Sequence, residues 1–296
     1  MNKLAIISLF ALAAANAGAR EVDSRLDADD DGRVNVSNLS GSITVEGWGR
    51  SEVHVTGTID DDVEEFIFER DGREITIKVK APERRWGHKD VSAELTIRVP
   101  QDNSLDIGTV SADIDVSGVR GEQELQAVSG DITTEAYSSD IRAGTVSGDV
   151  EVESADGRSV GEWELSSVSG DVTAEGLSGA LSAEIVSGDI EIIDGTFRRI
   201  RAETVSGDIV LLGGLEDGGR IDMESVNGSI EIQFTGPVSA RFDIETFNGR
   251  IKNCFGPKPE RTSKYAPGLE VSFKEGSGEG RVSLATLNGS IEVCKE

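Results

Sequence analysis

A short phrase, Val-Ser-Gly-Asp followed by an apolar residue, returns from Val110 to the last residues of the chain, and nothing else in the sequence constrains the fold as strongly. Anchored on the small residue, the copies fall at Ala112, Gly130, Gly148, Gly170, Gly188, Gly207, Gly228, Gly249 and Gly289. Their spacing is 18 to 22 residues, except for a last interval of 40. A period of that length marks a stacked unit that cannot bury its apolar face alone.

Each unit reads as two strands, because apolar residues alternate on both sides of the anchor with the period of two that a half-buried strand requires. Two residues after the anchor stand Ile114, Ile132, Val150, Val172, Ile190, Ile209, Ile230, Ile251 and Ile291. Five before it run Ile107, Leu125, Ala143, Leu165, Ala183, Ala202, Met223, Ile244 and Leu284. Between these inner columns and the valine two before the anchor, the alternation slips by one residue. A bend belongs there, and the glycine permits it. The expectation is an all-β chain: a parallel β-solenoid, or β-helix, of about nine to ten short turns, forming a rod roughly 40 Å long. Short, evenly spaced strands also suit an antiparallel sandwich. A sandwich, however, does not need the same residue at the same place in every turn.

The other columns suit stacking. Serines precede the anchors until Asn227, Asn248 and Asn288 replace them, and all can hydrogen-bond at a bend or to their own copies. After the anchors come Asp113, Asp131, Asp149, Asp171, Asp189 and Asp208. Stacked carboxylates repel unless they cap backbone amides, are separated by solvent or are bridged by cations. Turn-capping aspartates facing solvent are expected, with a cation-binding stripe as the alternative.

Residues 1–19 carry Lys3, an apolar run and small residues after it, the pattern of a secretory signal peptide with cleavage after Ala17 or Ala19. No later segment is apolar and long enough to cross a bilayer, so the protein is expected to be exported to the periplasm or the cell surface and not to be integral to the membrane. The remainder divides into an N-terminal β cap at 20–100, where alternation runs through Val34, Ile43, Val53, Ile75 and Leu95, and the repeats at 101–296. A repeat copy at Leu39 to Val45 begins the coil early. A loop insertion at 255–280 carries Lys258, Arg261, Lys264 and Tyr265 and is the first place expected to meet a partner. The net charge of -26 opposes binding to nucleic acid or to bare anionic lipid.

Asp27, Asp29, Asp31 and Gly32 begin like a calcium loop, but the twelfth position is Asn38 and the flanks alternate like strands. An Asp-Gly hairpin turn is the preferred reading, and these aspartates are weak metal candidates; no other cofactor is implied. The basic cluster Arg84, Arg85, His88 and Lys89 with Trp86 reads as a solvated loop. Cys254 and Cys294 each stand five residues after an anchor, the same position in what should be adjoining turns. Strand spacing suits a disulfide, and export allows it to form.

The segment from Asn38 to Trp48, the Leu95 to Pro100 segment and the run of Val-Ser-Gly-Asp turns resemble the bacterial "putative adhesin" family of β-strand-repeat proteins over nearly the whole chain after the leader. The resemblance implies an exported β-solenoid of the cell envelope and supplies no catalytic residues. The expected function is a noncatalytic envelope or surface module that binds a glycan, cell-wall material or a protein along its long face or through the insertion. A periplasmic scaffold or sensor of an envelope-stress system is the alternative. A polysaccharide-active enzyme is the third reading, by fold analogy alone. It is disfavoured because His54 and His88 are the only histidines and both lie outside the repeats.

Overall fold

Between neighbouring repeats, residues at the same place in the phrase lie side by side. Ala143 pairs with Leu125 on one side and Leu165 on the other, and Val150 with Ile132 and Val172, all in parallel strands. The computed structural model describes residues 19–82, 91–263 and 267–295, and among these it is all-β with no helix. The leader at 1–19 falls outside the described residues apart from Ala19, and so do the basic cluster at 84–89 and Lys264 and Tyr265. Parallel pairing in the same register through both strands of each repeat excludes the antiparallel sandwich for this part of the chain.

The inner columns read from the sequence form the core. Residues two after and five before the anchors are buried throughout, and Trp163, Phe197, Phe234 and Phe242 are the largest fully buried side chains. At the bend the need for glycine is stricter than tight turning alone. A Cβ built on Gly148, Gly170, Gly188 or Gly207 would overlap the carbonyl oxygen of the preceding anchor, and all four hold φ between 147° and 153°. Backbone therefore presses on backbone from turn to turn, and only glycine fits.

Two ladders satisfy the polar groups that this contact concentrates. The Oδ1 of each column aspartate accepts the backbone N–H of its counterpart in the next repeat, from Asp131 onto Asp113 through Asp208 onto Asp189, at 2.7–3.1 Å. The column is thus a file of backbone caps, as the turn-capping reading expects. Farther along, Asn248 donates to Asn288 and Asn288 to Asn227, each at 2.9 Å.

The ends depart from sequence order. At the N-terminal end the strands are β1 (Ala19–Asp27), β2 (Arg33–Trp48), β3 (Glu52–Asp60), β4 (Glu65–Asp71), β5 (Glu74–Lys80), β6 (Ala93–Pro100) and β7 (Ser104–Ser117). β7 stacks on β2 with Gly41 opposite Ala112, so the early copy joins the stack. β5 and β6, however, lie on the far side of β2, and antiparallel β4 and β3 finish that face, with β1 beyond β3. The turn at Asp29 to Gly32 consequently joins two strands that do not pair with each other. The expected hairpin is absent because β1 is claimed by β3, register for register, from Ala19 to Asp27.

At the other end the last repeat in sequence is not the last in space. Strands Gly280–Asn288 and Ile291–Lys295 insert between the repeat of Gly228 and that of Gly249. The insertion then runs back over the outer edge, where Leu269–Lys274 pairs antiparallel with Ala240–Asn248. Phe273 stacks on Phe242 at 4.5 Å between ring centres, and Phe255 packs against both. Antiparallel strands therefore close both ends of the parallel stack, which removes parallel edges that could template association. Cys254 and Cys294 form a disulfide across neighbouring strands, with Cα atoms 4.8 Å apart.

Gly207→Ala should lower unfolding free energy by about 3 kcal/mol or more. Gly108→Ala, where a Cβ meets nothing within 4 Å, should change it by less than about 1 kcal/mol. Urea denaturation of the two variants tests the backbone-contact account. Reduction of the disulfide should remove up to about 4 kcal/mol on the chain-entropy account, read as a fall in thermal midpoint that the Cys254→Ser/Cys294→Ser variant reproduces.

Candidate functional site

The slip in alternation has a second result at the surface. Positions three and five before the anchor face inward, so the residue two before it faces outward although it is apolar in every repeat. In spatial order the column is Val110, Val128, Val146, Val168, Val186, Val205, Val226, Leu287 and Phe247, each 40–48% exposed. Scattered exposed hydrophobes are normal on protein surfaces, whereas an aligned file of nine is a contiguous patch of the kind that marks interaction sites.

From Val168 to Phe247 this file forms one wall of an open groove of about 700 Å³. The floor is the buried column three before the anchors. Its hydroxyls are already engaged: Thr145, Ser167, Thr204, Ser225, Thr246 and Thr286 each donate to the carbonyl of the adjacent repeat's anchor at 2.8–3.4 Å. Such a floor asks nothing polar of an occupant. The opposite wall, four before the anchors, carries Glu184, Glu203, Glu224 and Glu245. Arg201 lies 2.5 Å from Glu203 and 3.9 Å from Glu184, and so offsets part of that charge. Thr262 and Gly268 of the insertion close one end. In the earlier repeats Gly108, Gln126 and Gly144 hold the wall position, and no acidic wall forms there.

The residues singled out from the sequence lie elsewhere or act differently. The anchors Gly130, Gly148, Gly170, Gly188, Gly207, Gly228, Gly249 and Gly289 form the bend beside the groove without lining it. Asp27, Asp29 and Asp31 are occupied by arginines: Arg70 donates to the Asp27 carbonyl at 2.7 Å and to Asp29 Oδ2 at 2.9 Å, and Arg73 pairs with Asp31. No group of three metal-binding side chains occurs among the described residues. The insertion spends most of its apolar residues on the end cap. His54, 6% exposed, bonds Asp23 at 2.8 Å and stacks on Trp48. Among the described residues two groups have displaced titrations, and neither lines the groove. Lys80 is raised, chiefly by its bond to Glu65, and Tyr137 is raised by burial and then by Glu135. The valine file escaped the sequence reading. Its signal was there: a column out of phase with the inner ones and yet always apolar.

The profile of a family described as Toastrack DUF4097, a domain of unknown function, matches residues 32–294. The chain belongs to this family. Several solved structures are also similar to the chain at low identity. A "putative adhesin" from Bacteroides fragilis is 14% identical, with a TM-score of 0.48 over 94% of this chain and 97% of its own. One from Parabacteroides distasonis is 12% identical, with a TM-score of 0.47 over 93% and 97%. A "putative lipid binding protein" from the same organism is 13% identical, with a TM-score of 0.39 over 92% and 96%. No curated protein matches the chain. Among the described residues of this Toastrack chain, no helix is long and apolar enough to cross a membrane.

Because arginines already hold the carboxylates of Asp29 and Asp31 and the backbone carbonyl of Asp27, millimolar calcium or a chelator should leave the thermal midpoint of residues 20–296 unchanged, within about 1 °C. A calcium-dependent rise of several degrees would show that a cation is bound by the folded chain.

Proposed function

We propose that this chain is an exported, noncatalytic binding module of the cell envelope, which holds a partner along the groove between the valine file and the glutamate wall. One observation carries the reading: nine exposed apolar side chains aligned on a scaffold whose backbone is locked from turn to turn. Rigid presentation limits the ordering cost of association.

The aliphatic wall favours a protein partner over a glycan. Sugar hydroxyls laid against valines would lose water without gaining hydrogen bonds, and among the described residues Phe247 is the one aromatic residue lining the groove. The disulfide suits an oxidising compartment outside the cytoplasm. Absence of catalysis is supported by His54, whose ring is buried and held by Asp23, away from the groove. Adhesion and scaffolding both fit a module of this kind, since each needs a stiff surface and one specific face.

Residues 20–296, incubated with isolated envelope fractions, should be retained. The triple variant Val186→Gln/Val205→Gln/Val226→Gln should lose at least about 2 kcal/mol of affinity, roughly thirtyfold. Because the three side chains are half exposed, its thermal midpoint should stay close to that of the parent. Equal retention of the two proteins, or retention of neither, would sink this reading.

A further inference from the structure

The groove has a period, and the period selects its occupant. Seven rows, from Thr145 to Thr246, line it. At one strand spacing per row they span about 29 Å. Apolar side chains along the wall therefore recur about every 4.8 Å. An extended peptide lying along the groove places same-face residues about 6.8 Å apart and falls out of step after one row. An α-helix repeats every 5.4 Å, drifts only about 0.6 Å per row, and fills the length with about 19 residues. Helix ridges can settle between successive valines over most of the span.

Charge then selects the helix. Among the described residues Arg201 is the one cation paired with the groove's four glutamates; Glu224 and Glu245 stand beyond it, and Glu270 of the end cap lies across the sheet from Glu245. Among the described residues no lysine or arginine lines the groove itself. A second copy of this chain, with net charge -26, would meet like charge, as would an anionic lipid surface. Helix-in-groove recognition with an apolar stripe and basic flanks satisfies both walls at once.

We propose that the groove binds a basic amphipathic α-helix of a protein partner, about 19 residues long, with its apolar stripe on Val168 to Phe247 and its lysines or arginines toward Glu224 and Glu245. The proposal rests on the reading of the groove as the binding site and adds the chemistry and shape of the occupant. The apolar wall enlarges toward the acidic end, from valine through Leu287 to Phe247, so the helix places its smaller apolar residues at that end and its larger ones at the Thr145 end.

The probe is a fluorescein-labelled 19-residue peptide, with leucines at helical spacing on one face and lysines flanking them. Its control is an isomer of identical composition with the leucines spread around the helix. Anisotropy titrations use residues 20–296 at physiological salt. The amphipathic peptide should bind at least about tenfold more tightly than the isomer, since only it can bury its leucines together. Val186→Gln/Val205→Gln/Val226→Gln should weaken it by a further order of magnitude or more, roughly thirtyfold. Glu224→Gln/Glu245→Gln should cost about three- to tenfold and flatten the salt dependence. Val160→Gln, exposed but outside both the file and the groove, should leave binding unchanged.

Equal binding of both peptides, undiminished binding by the valine variant, or no binding at all would overturn the helix. If the peptides fail while envelope retention still depends on the valines, the groove is a binding site for something else and only the helix is lost. Valine-dependent retention on protein-free vesicles of extracted lipid, or a dimer in sedimentation that the valine variant abolishes, would likewise overturn it in favour of lipid or a second copy.

Discussion

Everything in this molecule rests on the contact at the bend, where the anchor of one repeat lies against the carbonyl oxygen of the anchor before it. At the glycine anchors a side chain would push successive turns apart, and the parallel hydrogen bonds on both flanking strands would go with it. Glycine at the anchors permits the approach. The aspartate amide caps and the threonine and serine hydroxyls then satisfy the polar groups that it crowds together. The same geometry turns the residue two before the anchor outward. Stability and the exposed file are thus two products of one constraint, and the file cannot be buried by the rod itself without undoing the bend.

That coupling also explains how far the sequence was legible. The inner columns, the early copy at Leu39 to Val45 and the capping aspartates follow from alternation and spacing, because each is a local pattern repeated in phase. The ends were not readable this way. Nothing in the residues around Gly249 says that Gly289 rather than Gly228 is its neighbour, since both offer the same bend and the same asparagine. The choice is made by the insertion, whose Phe255 and Phe273 pack on Phe242 and hold the Gly249 repeat at the outer end. The hairpin at Asp29 to Gly32 failed for a related reason. Its turn chemistry is sound, but β1 finds a longer partner in β3.

The groove was less legible than the fold. Its walls are residues two and four before the anchor, and in a regular strand of alternating period these would simply be an outer face. Recognising them as a binding surface requires knowing that the face is concave, that its floor hydroxyls are engaged and that the acidic wall begins only after Gly144. Those are facts about neighbouring turns, absent from any single repeat. The positions named from the sequence are instead the ones that build the coil.

The interleaved last repeat has a consequence for how the chain is made. The strands ending at Phe234 and those beginning at Ala240 are consecutive in sequence but are parted in space by residues 280–295. A chain emerging from the ribosome or crossing a membrane can stack its repeats in turn as far as Phe234, and there it must wait. Until the final segment arrives, the outer repeat and its aromatic cap have no bed to lie on, and the groove ends in an open edge. The molecule therefore carries its own mark of completion: the acidic end of the groove, with Leu287 and Phe247 side by side, exists only once the last strand has closed the gap.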